Sequence, residues 1–248
     1  MRRATAPRLL EIGALGAIDV RVDEQEVTLA EWKVRSARDL FFCLLAHPRG
    51  LTKEEIGLLL WPDCTFDQLQ TRFKNTLYRL RRTLWPAVVT FERGLYHFNR
   101  HLVYEYDVET FLALAETAPF ATDETTRYYA LSRAFFLYRG PYLPSLGAPW
   151  VCATRGHLRR VFVGVGLELG ELQLAAGQLY DALLTCNRLL VEVPYSEAAY
   201  RLSMRIHAAT RNRDGVVRQY HELQTVLSEK FHVSPSLETR ALFVTLTE

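Results

Sequence analysis

The amino-acid sequence predicts a mainly α-helical protein with a small β part, arranged as two domains. Three observations support this fold class. Apolar residues alternate with a period of two only before residue 30 and around residue 95. Elsewhere they recur at the spacing of amphipathic helices. Two segments of the second half align with each other at a spacing of 34 residues, which indicates helical repeats.

Length and composition restrict the class of protein. The 248 residues are enough for one large domain or two modest ones. Hydrophobic residues make up 49% and charged residues 23%, as in ordinary globular proteins. No apolar run could span a bilayer, and the start, MRRATAPRLLEIGALG, lacks the continuous apolar stretch of a signal peptide. We therefore expect a cytoplasmic protein with no membrane partner.

The N-terminal segment predicts strands and then two helices. RLLEIGALG predicts a strand, and AIDVRVDEQEVTL predicts a hairpin that includes Leu29. A helix follows, with Ser36 as its N-cap and the apolar residues Ala37, Leu40, Phe41, Leu44 and Leu45 on one face. In the second helix Thr52 and Glu55 form a capping box, and Trp61-Pro62 ends it.

A third helix carries the most distinctive pattern of the chain, TRFKNTLYRLRRTLW. Its core face consists of Leu69, Phe73, Leu77, Leu80 and Leu84. Its outer face consists of Thr71, Arg72, Lys74, Asn75, Tyr78, Arg79 and Arg82. No acid lies between Asp67 and Glu92, so this helix lacks the opposite-charge pairs that stabilise ordinary exposed helices. Arg and Asn bond base edges, and Arg and Lys neutralise phosphate.

The segment AVVTFERGLYHFN predicts a β-hairpin whose turn contains Arg93 and Gly94. The order of strands, three helices and hairpin predicts a winged helix-turn-helix. We expect its third helix to enter the major groove of double-stranded DNA and the hairpin tip with Arg93 to reach the backbone. A solvated basic face is the alternative, because a basic helix followed by a hairpin also occurs in proteins that do not bind DNA. Residues 1–104 carry 16 basic and 12 acidic side chains, against 14 and 16 in residues 105–248, which weakly favours the same interpretation.

From Tyr106 onward the sequence predicts an all-helical domain. Asp107 is the expected N-cap of its first helix, and a long amphipathic segment runs from Trp150 to Ala176. The segments GQLYDALLTCNRLLVEVP and RNRDGVVRQYHELQTVLSE align at the 34-residue spacing, which predicts tetratricopeptide-like helical hairpins. In VSPSLETR, Ser234 is the expected cap of the last helix, with Pro235 at its first position. We place the two domains at residues 8–104 and 105–248.

The ordered motifs resemble one known family over residues 9–246. ARDLFFCLLAHPRGLTKEEIGLLLWPD and TRFKNTLYRLRRTL resemble the winged helix of OmpR-like regulators, in the form found in SARP (Streptomyces antibiotic regulatory protein) regulators. YDVETFLALAE, ALSRAFFLYRGPYL, PWVCATRGHLRRV and FHVSPSLETR resemble the bacterial transcriptional activator domain that follows it there. In one departure, FHVSPS lacks the glycine that the family usually shows before V-x-P-S.

This resemblance implies a bacterial transcriptional activator that binds promoter direct repeats, at least as a dimer on DNA, and contacts RNA polymerase. The recognition-helix role then falls on Thr71, Lys74, Asn75, Tyr78, Arg79 and Arg82. The wing role falls on Arg93 and His97.

A second hypothesis places the function in the helical domain, as a scaffold that binds a protein partner or a small effector. Arg155, Arg159 and Arg160 form one basic stretch there that an anion could meet, although a solvated helix edge explains them more simply.

We expect no enzyme, no cofactor and no metal. The chain lacks a Walker loop, G-x-S-x-G and H-E-x-x-H. His97 and His101 leave a strand, so they do not share a face as metal ligands on a helix would. The cysteines at 43, 64, 152 and 186 lie far apart among apolar neighbours, which predicts buried free thiols.

Overall fold

The computed structural model describes residues 8–32 and 35–248. Residues 1–7, part of the N-terminal segment that lacks the pattern of a signal peptide, lie outside this range. The described chain forms two compact units. The N-terminal unit comprises the residues up to Val108 together with Pro141–Arg155, and the helical unit comprises Glu109–Gly140 together with Gly156–Glu248. No helix among the described residues is long and apolar enough to cross a membrane.

The N-terminal unit has the predicted order of strands, helices and hairpin. Its elements are β1 (Leu9–Gly13), β2 (Asp19–Val22), β3 (Gln25–Glu26), α1 (Leu29–Trp32), α2 (Arg35–Ala46), α3 (Lys53–Leu60), α4 (Phe66–Thr83), a 3-10 turn (Pro86–Val88), β4 (Val89–Glu92), β5 (Leu95–Phe98) and β6 (Val103–Tyr106). Strands β4 and β5 form the predicted hairpin. The predicted winged helix is therefore confirmed.

The first three strands of this unit and its last strand form one four-stranded sheet, in the order β3-β2-β1-β6. Strand β1 pairs antiparallel to β2 and parallel to β6, with Leu9 opposite Val103. The sequence pattern did not predict β6. Asp107, the expected N-cap, is the first residue of the next helix, and its carboxylate accepts hydrogen bonds from the backbone N–H groups of Ala14 and Leu15. This contact holds the end of β6 beside the loop that follows β1.

Two predictions at the start of the unit are wrong. Leu29 begins helix α1 and is not part of the hairpin, because β3 ends at Glu26. Ser36 is not an N-cap, because helix α2 already includes Arg35. The capping box of α3 is confirmed: Thr52 accepts from the Glu55 backbone, and the Glu55 carboxylate accepts from Thr52. The backbone hydrogen bond from Thr52, followed by that of its hydroxyl, lowers the pKa of Glu55.

The core of the N-terminal unit lies around Phe41 of α2. Its ring lies 5.8 Å from Trp32 of α1 and 5.9 Å from Phe98 of β5, measured between centroids. Leu80 of α4 and Ile56 of α3 are fully buried in the same unit. These apolar contacts fix α4 and the hairpin on one scaffold.

The helical unit contains the helices that the sequence predicts. They are α5 (Asp107–Thr117, which begins in the N-terminal unit), a 3-10 turn (Ala118–Phe120), α6 (Glu124–Leu137), α7 (Pro149–Ala175, of which residues 156–175 belong here), α8 (Leu179–Glu192), α9 (Glu197–Ala209), α10 (Arg213–Phe231) and α11 (Leu237–Thr247). The apolar residues that are 34 positions apart are buried in both α8 and α10, as Ala182 and Val216 or Cys186 and Tyr220 show. This equivalence explains the repeat in the sequence.

The last helix begins later than expected. Ser236, not Ser234, is its N-cap, because the Ser236 hydroxyl accepts from the Thr239 backbone N–H. The Glu197 carboxylate stabilises this cap by accepting three hydrogen bonds. They come from the Ser236 backbone N–H at 2.9 Å and from the hydroxyls of Ser236 and Thr239, each at 2.6 Å. A distant residue on α9 therefore decides which serine caps α11.

The prediction of four buried thiols holds only for Cys43 and Cys186. Burial raises the pKa of each to about 12. Cys64 is half-buried and Cys152 is exposed in the first turn of α7. Apolar sequence neighbours did not separate the buried cysteines from the exposed Cys152. Consecutive residues of a helix point in different directions, so Cys152 and Ala153 are exposed although Val151 is buried.

Candidate nucleic-acid interface

Helix α4 is held firmly at its start and along its core face. Thr65 and Gln68 form a capping box at its N-terminus, a second such box that the sequence analysis missed. Leu69, Phe73 and Leu80 are buried, as predicted. Leu77 is only half-buried, so the predicted stripe opens towards solvent in the middle of the helix. A capped helix with one buried face presents its other side chains from a fixed position.

The outer face of α4 is exposed at every predicted position. These side chains are Thr71, Arg72, Lys74, Asn75, Tyr78, Arg79 and Arg82. The Tyr78 side chain is 63% exposed and so offers an aromatic ring beside the cations of this face. The structure thus brings together the seven helix residues that the sequence analysis proposed as DNA contacts.

The cations of this face differ in how they are held. Within the described part of the chain, Lys74, Arg79 and Arg82 make no hydrogen bond or ion pair. The Arg72 guanidinium instead lies 5.1 Å from the Trp61 ring and donates to the Cys64 sulfur at 3.4 Å. Three cationic side chains at the C-terminal part of α4 are therefore free to meet an anion.

Arg81 has a structural role that its sequence position did not reveal. It is half-buried, and its guanidinium donates to the backbone carbonyl of Val89 at 2.9 Å. This bond joins the last turn of α4 to the first strand of the hairpin. A cation in the last turn also interacts favourably with the negative C-terminal end of the helix dipole.

The wing is the hairpin of β4 and β5. Arg93 and Gly94 form its turn with φ angles of 53° and 83°, the left-handed values that a tight two-residue hairpin turn requires. Arg93 is exposed at the tip. Leu51 and Tyr96 exchange two backbone hydrogen bonds, of 3.0 and 2.8 Å, and so attach the wing to the connection between α2 and α3. The hairpin is thereby fixed relative to α4.

His97, the second residue that the resemblance places in the wing role, lies in strand β5 opposite Thr90 and is half-buried. Its ring covers Gly50, where an added Cβ would overlap the imidazole. Gly50 also has a φ of +78°, so this position suits glycine for two reasons. The structure gives His97 a packing contact at the base of the wing.

Glu31 of α1 was not considered in the sequence analysis. It lines a shallow cavity of about 270 Å³ with Tyr78, Arg79 and Arg82. Its carboxylate accepts from the Thr28 backbone and hydroxyl, and its carbonyl accepts from Thr83 of α4. No local signal could have revealed this proximity, because Glu31 lies far from α4 along the chain.

The three arginines of the basic stretch at the start of α7 do not act as one group. The Arg155 guanidinium donates to the carbonyls of Tyr142, Leu143 and Leu146, at 2.8 to 3.0 Å. Its donors therefore hold a loop of the N-terminal unit. Arg159 and Arg160 are exposed in the helical unit.

Comparison with known proteins gives one family and one fold. Residues 106–246 match the family model of the bacterial transcriptional activator domain. No curated protein matches the chain by sequence. Among solved structures, the chain is similar to Mycobacterium tuberculosis EmbR in complex with a low-affinity phosphopeptide, with a TM-score of 0.78 and 18% sequence identity.

The alignment with EmbR covers 96% of this chain but 65% of the EmbR chain, so this chain spans less than two thirds of that protein. At this identity the likeness shows a shared fold, a winged-helix region followed by a helical domain. The family match covers more than half of the chain. The chain therefore belongs to the family of the bacterial transcriptional activator domain, the hallmark of SARP-type transcriptional regulators.

Proposed function

We propose that this transcriptional regulator binds double-stranded DNA in a sequence-specific manner, with α4 in the major groove and the wing against the backbone. The observation that carries this proposal is the outer face of α4, where Lys74, Arg79 and Arg82 are exposed and have no partner among the described residues. Unpaired like charges on one helix face are unfavourable in the free protein. A polyanion that supplies the missing partners would remove this cost.

The side chains of this face suit two kinds of contact. Arg79, Arg82 and Asn75 can form the bidentate hydrogen bonds that read guanine and adenine edges. Lys74, and Arg93 at the wing tip, suit phosphate, because a flexible cation positions the protein without reading sequence. Thr71, Tyr78 and Arg72 complete the surface. His97 contributes by holding the wing in place through its contact with Gly50.

The direct test is selection of genomic fragments by the purified 248-residue chain, at near-physiological salt and with competitor DNA, followed by sequencing. The proposal requires an enriched motif. A direct repeat spaced by one or more helical turns would also indicate two copies on DNA. Recovery of fragments without any shared sequence would refute specific binding.

Variants of α4 then separate base contacts from phosphate contacts. Arg79→Ala or Arg82→Ala should weaken binding to the selected motif by about 1–3 kcal/mol if the residue reads a base. Lys74→Ala should weaken binding to all sequences alike and reduce the salt dependence. Arg133→Ala is the matched control, because Arg133 is exposed in the helical unit without a described partner. Equal losses in all four variants would contradict the proposed orientation of α4.

We further propose that the helical unit activates transcription through a contact with RNA polymerase. Supporting this, Phe136 of α6 and Tyr180 of α8 are 75% and 74% exposed. Phe136 also lines a groove of about 400 Å³ together with Leu184 of α8. Large exposed aromatic residues are enriched in protein interfaces. Phe136→Ala should leave duplex affinity unchanged and reduce transcription by purified polymerase, whereas full activity would exclude this residue from the contact.

A further inference from the structure

A cleft in the N-terminal unit lies between the C-terminal half of α4, the 3-10 turn and the wing. Its volume is about 490 Å³, within the range of small-molecule sites. The floor is apolar and consists of Phe73, Leu77, Pro86 and Tyr96. It occupies the stretch of α4 where the core face opens to solvent, because Leu77 is only half-buried.

The floor is built before any ligand arrives. The rings of Phe73 and Tyr96 lie 4.7 Å apart between centroids, and Phe91 lies 4.5 Å from Tyr96 on the other side. The backbone of Tyr96 is bonded to Leu51 in both directions. The Phe73 ring is only 4% exposed and meets Tyr96 edge-on at 65°, so the floor open to a ligand is Tyr96 with Leu77 and Pro86. A floor whose side chains are already fixed favours a flat apolar body, because binding orders few flexible side chains.

The rim of the cleft is cationic. Lys74, Arg81 and Arg82 line it, and no carboxylate does. Lys74 and Arg82 have no partner among the described residues. Arg81 is oriented by its hydrogen bond to the Val89 carbonyl, and a guanidinium has further donors beyond that one. The three cations therefore surround the apolar floor, and the carboxylate of Glu31, which lines the neighbouring cavity with Arg82, is hydrogen-bonded to Thr28.

We propose that this cleft binds a small aromatic anion, with a planar ring system on the floor and a carboxylate or similar group at the cationic rim. The backbone of DNA matches the rim alone, because it presents charge without an aromatic body to cover the half-buried side chains of Leu77 and Tyr96. A ligand with both features matches the whole cleft.

Such a ligand would oppose duplex binding, because Lys74 and Arg82 belong to both surfaces. This consequence rests on the proposed function, whereas binding of the anion does not. The cleft would make the DNA-binding unit itself sensitive to a metabolite. That role differs from an effector site at Arg159 and Arg160 in the helical unit.

The test uses 2-naphthoate as the probe and neutral 2-naphthamide as its matched control, titrated calorimetrically into the 248-residue chain without DNA. We expect saturable binding of one 2-naphthoate per chain and weaker binding of the amide, by about tenfold. Arg81→Gln and Lys74→Gln should each lower the affinity for 2-naphthoate by roughly three- to tenfold. Arg79 lies on the same helix but does not line the cleft. The Arg79→Gln variant should therefore bind 2-naphthoate with the affinity of the wild type.

Equal binding of naphthoate by all four proteins, or no binding at all, would overturn the proposal. Lys74 makes no hydrogen bond or ion pair within the described fold, so its variant remains informative if Arg81→Gln unfolds the hairpin. Duplex affinity is then measured with and without saturating naphthoate. Binding of naphthoate without binding of the duplex would refute the proposed function but support the proposed ligand site. Binding of the duplex without binding of naphthoate would refute the ligand site but support the proposed function.

Discussion

Replacing His232 by glycine should stabilise the helical unit. His232 ends α10 with φ 57° and ψ 36°, a left-handed conformation, and its backbone N–H donates to the carbonyl of Ser228. This is the position at which the sequence lacks the glycine usual in its family. The structure shows that the backbone retains the geometry that suits glycine, although the side chain has changed.

The size of the effect follows from two opposing terms. A left-handed conformation costs an L-residue roughly 1–2 kcal/mol. Glycine avoids this cost but loses more chain entropy on folding, by roughly 0.5–1 kcal/mol. His232 is exposed, so removing its ring forfeits little burial. We therefore expect His232→Gly to raise the free energy of unfolding by about 0.5–1 kcal/mol, equivalent to a rise in Tm of roughly 1–4 °C.

The assay is urea denaturation of the wild type, His232→Gly and His232→Ala, followed by circular dichroism. The alanine variant removes the imidazole but keeps the strain, so it should not gain stability. Gly177, after α7, has a φ of +71° and serves as the reverse control. Gly177→Ala should lose at least about 1 kcal/mol. A His232→Gly variant less stable than the wild type would show that the imidazole stabilises the fold, and would refute the strain argument.

Three further predictions concern buried groups. Burial lowers the pKa of His207, so the unfolded state binds more protons below about pH 6.5, and the free energy of unfolding should fall as pH drops through that value; His207→Gln should flatten this dependence in urea titrations. Thiol labelling at about pH 8 should modify Cys152 quickly but Cys43 and Cys186, with pKa values raised to about 12, only after unfolding. Leu80→Ala should cost about 2–5 kcal/mol in chemical denaturation, because Leu80 is fully buried.

Periodic patterns predicted the long elements, because burial of one face imposes the period. The core face of α4 and the 34-residue repeat both follow from which residues meet the interior. The parallel pairing of β1 with β6 has no such local signal, since it joins Leu9 to Val103. The boundaries that depend on a distant residue were also missed: Glu197 selects Ser236 as the cap of α11.

The outer face of α4 was predictable for the same reason that its core face was. Once the apolar stripe is assigned, the helical period fixes which residues point away from it. The cleft was not predictable, because its floor combines Phe73 of α4 with Tyr96 of the wing and Pro86 of the turn between them. Tertiary packing alone brings these three residues together.

Arginine shows most clearly where sequence patterns stop being informative. Arg81 and Arg82 are neighbours in one basic run, yet Arg81 donates to the Val89 carbonyl and Arg82 has no described partner. Arg155 likewise donates to three carbonyls, while Arg159, one helical turn later, is exposed. Five donors on one planar group let arginine hold a loop as readily as a phosphate. A count of basic residues therefore overstates the charge available to an anionic partner, and the cations of α4 that lack a described partner are the relevant quantity.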